Sequence, residues 1–368
     1  MKVLIMGFTK IKYMPYINFY LESVSKDVNE VHILYWNRDL KDEDISVLDG
    51  TTLHEFKCYQ ENDVSKASKI ISFIKYRKYA KKIIKENDFD FIIFMHSLPG
   101  VVISDVLLKK YRGRMIFDYR DSTFESFSPF KKRVGKLVKA SSATFVSSDA
   151  FRRFLPEDQK HKIYTTHNLL TEDFAFRDTK EKYGIVSDKI RLSFWGFIRH
   201  EEINKEIINK IAKDDRFELH YYGREQQIAL NLKRYASDIR AKNIFFHGEY
   251  KPSDRYEFIK STDIIHNIYC DNNMMLAMGN KFYDGVLFKV PQVCYKGSFM
   301  GTKNEQEGTG IALNPFEFDF TDRLFTYYKS LDLKDFYQRC DSTFDSVMRE
   351  YNSGKKLILQ IIQQTSAR

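Results

Sequence analysis

The chain has 368 residues, of which 43% are hydrophobic and 15% aromatic, and its formal net charge is +9. At about 100–200 residues per domain this length predicts two domains, and no apolar run reaches the roughly 18 residues that a transmembrane helix needs. The cysteines have no Cys-x-x-Cys spacing, which gives no case for a metal site or a disulfide framework and fits a reducing compartment. They are Cys58, Cys270, Cys294 and Cys340.

The first half of the chain alternates short apolar runs with helical patterns. Strands are predicted at residues 3–6, 31–35, 91–95, 115–117 and 143–146. The first of these runs is too short for the core of a signal peptide, so we interpret it as a strand. Helices are predicted at residues 15–24 and 101–110, and another is predicted to start near residue 149. This alternation favours parallel βαβ units, whose ligands bind at the carboxyl edge of the strands.

The same pattern restarts after a polar stretch at residues 171–188. Strands are predicted at residues 191–195, 217–222, 244–247, 264–269 and 292–295. Helices are predicted at residues 204–212, at residues 253–260 and from residue 279 to a stop near Pro291. The sequence therefore predicts one α/β domain over residues 1–170, a second over residues 171–345, and a C-terminal helix over residues 346–368.

The segment that begins at Gly279 and Asn280 has the pattern of a helix start that faces a ligand. Backbone N–H groups at a helix N-terminus bind anions readily. Lys281 places a cation in the first turn, where the helix dipole disfavours it, which suggests that the cation serves an anion. Asp284 lies three residues further on, on the same face. The alternative is an ordinary surface helix with an ion pair between Lys281 and Asp284.

The run Gly279-Asn280-Lys281-Phe282-Tyr283-Asp284, followed by Pro291, resembles the donor-nucleotide helix of the glycosyl transferases group 1 family. It is most similar to capsular and exopolysaccharide members, which show Pro-Asn-Lys/Arg-Leu-Tyr-Glu. The run from Gly308 to Pro315 resembles the Gly-x-Gly-Ile segment of the same family. The broader family has a second Glu eight residues before the first carboxylate, and this chain has Leu276 there.

The resemblance implies an α/β fold of the GT-B type, in which two Rossmann-like parallel-sheet domains face each other across a cleft. It implies that the first domain takes the acceptor, that the second takes the nucleotide-sugar donor, and that the last helix crosses back to the first domain. It also implies a retaining mechanism without a metal. The predicted donor-binding residues are Gly7, Gly196, Asn204, Gly223, Tyr250, Asn280, Tyr283 and Asp284.

Four side chains at predicted strand ends or helix starts are candidates for chemistry: Arg199, Lys281, Asp121 and His96. The planar guanidinium of Arg199 suits a diphosphate. Asp121 is predicted to bind acceptor hydroxyls or to support a developing charge, and His96 to face the anomeric carbon of the donor. The alternatives are a solvated arginine, an Asp–Arg pair that fixes the loop, and a structural histidine. For Gly223 and Tyr250 the alternative is a tight turn.

The excess positive charge is concentrated in the first half of the chain. The residues predicted to face an anionic membrane are Lys75, Arg77, Lys78, Lys81, Lys82, Lys131, Lys132 and Arg133. Each basic residue near such a bilayer contributes about 1 kcal/mol. An apolar stripe at helical spacing is predicted to pack inward beneath the lysines, and it comprises Ile70, Phe73, Ile74, Ala80, Ile83 and Ile84. Nucleic acid is not a predicted partner, because no nucleic-acid-binding module is recognised.

These features predict a glycosyltransferase that moves a sugar from a nucleotide-diphosphate sugar, with UDP favoured, to a lipid-linked or polysaccharide acceptor in cell-surface glycan synthesis. The expected location is cytoplasmic, at the inner face of the cell membrane, and no cofactor is predicted because the nucleotide-sugar is a substrate. One alternative is a non-catalytic scaffold subunit that binds a nucleotide or a partner glycosyltransferase, and Leu276 motivates it. Another is a nucleotide-sugar epimerase, for which the sequence lacks the necessary paired carboxylates.

Overall fold

A computed structural model describes residues 1–24, 28, 30–43, 48, 50–60, 65–183 and 188–367. The chain divides into two compact units. Unit 1 consists of Met1–Asn168 together with Arg349–Arg368, and unit 2 consists of Leu169–Met348. The sequence places the corresponding limits at residues 170 and 345.

Unit 1 is built on a parallel sheet. In the described residues its strands are β1 (Lys2–Met6), β2 (Glu30–Asn37), β3 (Thr52–Lys57), β4 (Phe91–Met95), β5 (Met115–Tyr119), β6 (Ala143–Val146) and β7 (Ile163–Thr165). Its helices are α1 (Ile17–Val24), α2 (Lys66–Asn87), α3 (Ser97–Val102), α4 (Ser104–Lys110) and α5 (Ser128–Ala140). The strand order is β3-β2-β1-β4-β5-β6-β7, so chain order reverses between β1 and β4. In such sheets ligands bind at the carboxyl ends of the strands beside this switch point.

Unit 2 repeats the architecture with a second parallel sheet. Its described strands are β8 (Ile190–Trp195), β9 (Phe217–Tyr222), β10 (Ile244–Gly248), β11 (Ile264–Asn267), β12 (Gln292–Tyr295) and β13 (Gly310–Leu313). Its helices are α6 (Thr179–Tyr183), α7 (Glu201–Ala212), α8 (Gln227–Asp238), α9 (Arg255–Lys260), α10 (Asn280–Phe288), α11 (Phe299–Glu307) and α12 (Phe320–Lys329). The order β10-β9-β8-β11-β12-β13 puts the switch point between β8 and β11.

The last helix, α13 (Leu333–Ser366), begins in unit 2 and ends in unit 1. In unit 1 the ring of Tyr351 lies 4.9 Å from that of Phe19. Gly354 allows this close packing, since a Cβ there would lie 2.9 Å from Phe19 Cζ. Lys355 also forms an ion pair of 2.7 Å with Glu22 on α1. Residues 349–366 therefore contribute to the core and surface of unit 1.

The prediction of two Rossmann-like parallel-sheet domains is confirmed. The fully apolar runs became central strands, because both faces of a parallel sheet are covered. The structure adds elements that the sequence analysis does not predict, namely β3, β7, β13, α5, α6, α8 and α11. The helix predicted near residue 149 is a 3-10 helix, Asp149–Phe154. None of the helices in the described residues has the length and apolar character needed to cross a membrane.

Helix α2 differs from the prediction in its first half. Ala80, Ile83 and Ile84 are buried as predicted, but Ile70 and Ile74 are 58% and 49% exposed, so the inward stripe is wrong at this end. The buried face there carries Ser72 and Tyr76 instead, whose hydroxyls donate to Ser68 O over 3.1 Å and to Gly7 O over 2.8 Å. Hydrogen bonding of these two side chains to the backbone allows them to replace apolar residues against the sheet.

Candidate functional site

Lys281 lies at the switch point of the unit 2 sheet. It occupies the first turn of α10, and its ammonium is 4.3 Å from the ring centroid of Phe194, on β8, and 5.0 Å from that of Tyr269, just after β11. Nζ also donates to the Tyr269 hydroxyl. A Cβ on Gly196, where β8 ends, would be 3.8 Å from the same nitrogen. The two strands that flank the switch point therefore position this ammonium.

The ammonium of Lys281 is buried, and none of the described carboxylates is close enough to form an ion pair with it. Only 9% of the residue is exposed, and among the described residues no carboxylate oxygen lies within 4.0 Å of Nζ. Lys281 and Asp284 do not form the ion pair that the alternative interpretation predicts, and Asp284 pairs with Arg255 instead. Burial of an uncompensated ammonium costs several kcal/mol, and cation–π contacts return only about 2 kcal/mol. An anion bound at this position would supply the missing charge.

Asp284, three residues along α10, is committed to other partners. Its Oδ1 accepts from Arg255 Nη1 over 3.1 Å, and its Oδ2 accepts from Trp195 Nε1 over 2.8 Å. Arg255 in turn donates from Nη2 to Asp173 over 2.9 Å. Burial raises the pKa of Asp284, while the charge of Arg255 and the bond from Trp195 oppose that rise. The predicted role of Asp284 toward a ribose stays a prediction, and each of its oxygens already has a protein donor.

Glycines at the ends of neighbouring strands shape the backbone beside Lys281. Gly196 has φ +115°, a conformation that side-chain-bearing residues rarely adopt. Gly223 follows β9, and a Cβ there would lie 2.2 Å from the carbonyl oxygen of Gly196. The carbonyl and the next strand can approach this closely only because Gly223 has no side chain. Gly196 and Gly223, both predicted to bind the donor, thus lie side by side where β8 and β9 end.

Asn204 supports the loop that carries Arg199. Its amide donates to the carbonyls of Arg199 and His200 over 2.7 Å and 3.1 Å. Its Oδ1 receives the Tyr221 hydroxyl over 2.8 Å and lies 3.1 Å from His266 Nε2. Asn204 is 3% exposed, so the structure places this predicted donor-binding residue behind the loop, where it fixes the backbone.

His266 is held as a neutral imidazole. The backbone N–H of Ile268 donates to Nδ1 over 3.2 Å, so Nδ1 is unprotonated and Nε2 carries the hydrogen that points to Asn204. Burial and the nearby charge of Lys281 lower the pKa of His266 to about 3. Hydrogen bonds through Asn204 thus connect the neutral His266 to the loop that carries Arg199.

The remaining predicted residues of unit 2 lie at different depths. Arg199 is exposed, and its guanidinium stacks 4.9 Å from the ring centroid of the equally exposed Phe197. Tyr250 is half-buried, with its ring 5.5 Å from that of Phe258, and burial raises its pKa to about 12. Asn280 is exposed at the start of α10, whereas Tyr283 is buried. Leu276 lies in the turn that precedes the helix, where its N–H donates to Asn273 O over 3.0 Å.

In unit 1, the predicted residues gather at the other switch point. His96 follows β4 with φ +70°, its Nε2 lies 2.6 Å from the Tyr16 hydroxyl, and its Nδ1 lies 3.9 Å from Asp121 Oδ2. Burial lowers the pKa of His96, while the charges of Asp121 and Asp118 act in the opposite direction. Gly7, at the end of β1, is buried, and a Cβ there would be 2.3 Å from Met14 Sδ.

The Asp–Arg pair that fixes the loop after β5 is formed by Asp118 and Arg120. Arg120 Nε donates to Asp118 Oδ2 over 2.7 Å, and Nη1 donates to Asn168 Oδ1. The guanidinium carbon lies 3.5 Å from the centroid of the Tyr16 ring. Tyr16 therefore connects this buried ion pair to His96, and Asp121 remains the half-buried carboxylate nearest the imidazole.

A cavity of about 350 Å³ opens over the carboxyl edge of the unit 1 sheet. Its lining includes His96 and Asp121, both predicted for chemistry. The rest of the wall combines apolar and cationic side chains: Phe8, Phe73, Leu98, Phe124, Arg38 and Lys69, with Thr9, Gln60 and Thr123. A ligand with a polar end and an apolar part suits this composition.

The predicted membrane-facing residues divide into two groups. Arg77 and Lys81 are in ion pairs with Asp105 of α4, at 2.8 Å and 2.6 Å. Six are exposed, and of these Lys82 also lies 3.8 Å from Glu86. They are Lys75, Lys78, Lys82, Lys131, Lys132 and Arg133.

Several side chains of the site are not predicted by the sequence analysis: Phe194, Trp195, Asp173, Arg255, His266 and Tyr269. Tyr269 could have been predicted, because it is the last residue of the predicted strand at residues 264–269 and therefore lies at the ligand-binding edge of the sheet. Trp195 is one of two tryptophans in the chain, also at a predicted strand end. Asp173 and Arg255 are 82 residues apart, and no local spacing joins them. In the described part of the chain no group of three or more His, Cys, Asp or Glu side chains is arranged to hold a metal.

Comparison with known proteins shows similarity in structure only. No protein-family model matches the sequence, and no curated protein matches it. Sucrose-phosphate synthase from Thermosynechococcus elongatus is similar over 100% of this chain and 99% of its own, with a TM-score of 0.74 and 10% identity. HepE from Anabaena, in complex with UDP and glucose, is similar over 100% and 99%, with a TM-score of 0.65 and 12% identity.

A third structure widens the comparison. UDP-GlcNAc 2-epimerase from Neisseria meningitidis, bound to UDP-GlcNAc, is similar over 99% of this chain and 100% of its own, with a TM-score of 0.59 and 12% identity. The fold is the GT-B fold. Its two Rossmann-like domains are common to all three proteins, and at these identities the similarity concerns the fold alone.

Proposed function

We propose that the protein is a glycosyltransferase that takes a nucleotide-diphosphate sugar, with UDP as the favoured nucleotide, on unit 2. The observation that carries the proposal is the buried ammonium of Lys281, without a carboxylate partner in the described residues, at the switch point of the sheet. A diphosphate would neutralise it, and fixed positive groups aimed at a departing diphosphate stabilise the charge that develops in the transition state. Similar structures that contain UDP or UDP-GlcNAc support the choice of nucleotide.

Other residues of unit 2 have supporting roles in this proposal. Arg199 is exposed on the loop after Gly196, and its guanidinium can bind phosphate oxygens in a bidentate manner. Asn204 and His266 fix the backbone of that loop. Asp284, Arg255 and Asp173 hold α10 so that its N-terminus and Lys281 keep their position. Phosphate neutralisation by side chains and a helix N-terminus needs no metal, and we include metal independence and retention of configuration in the proposal.

The acceptor would bind at the unit 1 cavity. Asp121 and His96 line it, and a carboxylate beside an imidazole can hold and orient a sugar hydroxyl. The mixed apolar and cationic wall suits a lipid-linked acceptor, as in cell-surface glycan synthesis at the cytoplasmic membrane face. No cofactor enters this scheme, because the nucleotide-sugar itself supplies the transferred group.

Calorimetric titration tests the donor site. UDP, GDP, ADP and CMP are compared with and without EDTA, for the wild type and for Lys281→Ala. Lys303→Ala is the control, because Lys303 is half-exposed and paired with Glu307 at 2.5 Å. We expect one diphosphate to bind without metal, and Lys281→Ala to weaken it by about 100-fold or more, which equals the loss of a charge-assisted contact of about 3 kcal/mol. If no nucleotide binds, or if the lysine variants behave alike, the proposed donor site is wrong.

Turnover distinguishes transfer from the two alternatives. A transferase releases nucleotide from its donor faster when the acceptor is present. A scaffold subunit would bind the nucleotide without turnover, and an epimerase would convert the donor without any acceptor. Measurement of free nucleotide and of the sugar product in the same reaction separates these results.

A further inference from the structure

The outward face of α2 changes from apolar to basic along its length. Its exposed residues at spacings of three and four are first Ala67, Ile70, Ile71 and Ile74 and then Lys75, Lys78, Lys82 and Lys85, with Glu86 3.8 Å from Lys82. Ile70, Ile71 and Ile74 are 58%, 53% and 49% exposed. At 1.5 Å per residue the apolar part extends for about 10 Å and the basic part for about 15 Å. Isoleucines on one exposed helix face are a cost in water that a partner surface would remove.

The segment that leads into α5 repeats this order. Phe124 and Phe127 are 48% and 62% exposed, and they are followed by exposed Lys131, Lys132 and Arg133. The two regions meet at the unit 1 cavity, because Phe73 and Lys69 of α2 line it together with Phe124. Both regions thus contribute residues to the cavity wall, and in each region basic residues follow the exposed apolar ones along the chain.

We infer that this rim, defined as Ile70, Ile71, Ile74, Phe124 and Phe127, inserts into the interfacial region of an anionic lipid bilayer. Apolar side chains enter the acyl boundary while neighbouring lysines and arginines contact anionic headgroups, which is the arrangement of interfacial membrane anchors. The order along α2 fits insertion by its N-terminal half. A protein partner would not account as directly for a basic zone behind each apolar group.

The position of the rim also defines the ligand of the cavity. Because Lys69 and Phe73 of α2 and Phe124 of the segment before α5 line the cavity, a bilayer held at the rim would bring amphiphiles close to it. Arg38 and Lys69 in the wall favour an anionic group on that amphiphile. This part rests on the proposed function, since it makes the acceptor a lipid-linked molecule drawn from the membrane.

Vesicle binding tests the rim directly. The full chain is sedimented with vesicles of phosphatidylcholine alone and of phosphatidylcholine mixed with phosphatidylglycerol. We expect the wild type to bind the anionic vesicles. The double variant Ile70→Ser/Ile74→Ser should bind more weakly, by about tenfold for each isoleucine removed. The double variant Lys75→Gln/Lys78→Gln should bind more weakly by about fivefold for each lysine removed. The control pair Leu230→Ser with Ile239→Ser, exposed residues of unit 2, should leave binding unchanged. Absence of wild-type binding, or equal loss in the control pair, overturns the inference.

Fluorescence quenching locates the inserted residues. The native tryptophans, Trp36 and Trp195, are 0% and 3% exposed, so lipids with brominated acyl chains should leave them unquenched. Ile71→Trp should be quenched on anionic vesicles, and Leu230→Trp should not. Equal quenching of both, or of neither, overturns insertion by the rim. Vesicle binding is measured without nucleotide and nucleotide binding without vesicles, so failure of the rim and failure of the donor site give separate results.

Discussion

The indole Nε1 of Trp195 donates to Oδ2 of Asp284 across 2.8 Å, in the buried interior of unit 2. The bond joins the last residue of β8 to the helix that carries Lys281. The other carboxylate oxygen accepts from Arg255, which also binds Asp173. One arginine thus pairs with two buried carboxylates, and Asp284 ties α10 to the rest of unit 2.

The Trp195–Asp284 bond should be measurable as a coupling energy. We expect Trp195→Phe and Asp284→Asn each to lower the free energy of unfolding, because each disturbs a buried hydrogen bond to a charged group worth about 1.5–3 kcal/mol. The double variant should lose less than the sum of the two, by about 1 kcal/mol or more. Chemical denaturation of all four proteins measures this. Trp195→Phe combined with Asp335→Asn, which shares no partner with Trp195, should be additive, and additivity in both cycles would contradict the described contact.

Two buried lysines, Lys281 in the first turn of α10 and Lys289 just after its last residue, should respond in opposite ways to loss of charge. Lys281 has no carboxylate partner in the described residues, whereas Lys289 contacts Asp178, Glu181 and Asp341 at 3.2 Å, 2.6 Å and 3.0 Å. We expect Lys281→Met to raise the free energy of unfolding of the nucleotide-free protein by about 1 kcal/mol, since the substitution removes a buried charge that has no ion-pair partner in the described residues. At the least, the free energy of unfolding should not fall. Lys289→Met should lower it by about 1.5–3 kcal/mol, since three half-exposed carboxylates lose this cation while Arg177 stays beside Asp178 and Asp341.

Thermal melting without and with UDP checks this pair. The wild type should gain stability with nucleotide and Lys281→Met should not, because a ligand stabilises only the state that binds it. A large loss of stability in nucleotide-free Lys281→Met would show that the ammonium has a structural function.

His266 should make unit 2 less stable as the pH falls. Its pKa is about 3 in the folded protein, against about 6.5 for an unperturbed histidine. Between these values the unfolded chain binds a proton that the folded chain does not, so stability rises with pH in this window and is lost as pH decreases from about 6.5 toward 3.

The variant His266→Gln isolates this contribution, because other histidines of unit 2 have lowered pKa values as well. Its amide can donate to Asn204 and accept from Ile268 without titrating. We expect the wild-type free energy of unfolding to decrease more steeply from pH 7 to pH 5 than that of the variant, by at most about 1.4 kcal/mol per pH unit. Parallel curves would mean that His266 titrates normally.

The fold could be predicted from the sequence because the central strands are continuous apolar runs that end in polar residues or glycine. Edge strands such as β3 lack that signal, since burial along Thr52–Lys57 is partial. On α2, helical spacing alone could not decide which side faces the sheet. On the buried side Tyr76 donates to Gly7 O at the end of β1, and Ile70 and Ile74 lie exposed on the other side.

The candidate site was predictable only where its residues directly follow strands or open a helix. Lys281, Arg199, His96 and Asp121 meet that criterion, and the structure brings each to the carboxyl edge of its own sheet. Arg255 and Asp173, which determine the charge around Asp284, do not meet this criterion. Arg255 reaches Asp173 and Asp284 across 82 and 29 residues, so its role depends on tertiary packing.

The close approach of Gly223 to Gly196 gives the last prediction. In Gly223→Ala the new Cβ would lie 2.2 Å from the Gly196 carbonyl oxygen, and both are backbone-bound atoms that cannot move aside without a shift of β8 or β9. The displacement would move Gly196 relative to Lys281 Nζ. We expect a loss of stability of about 1–3 kcal/mol, as for overpacking in a core, and at least a tenfold weaker affinity for nucleotide in calorimetry.

Gly135→Ala, on α5 of unit 1, is the matched control, because its Cβ would meet only Pro156 Cγ at 3.3 Å. A Gly223→Ala protein with wild-type affinity would show that the strand edge does not shape the donor site.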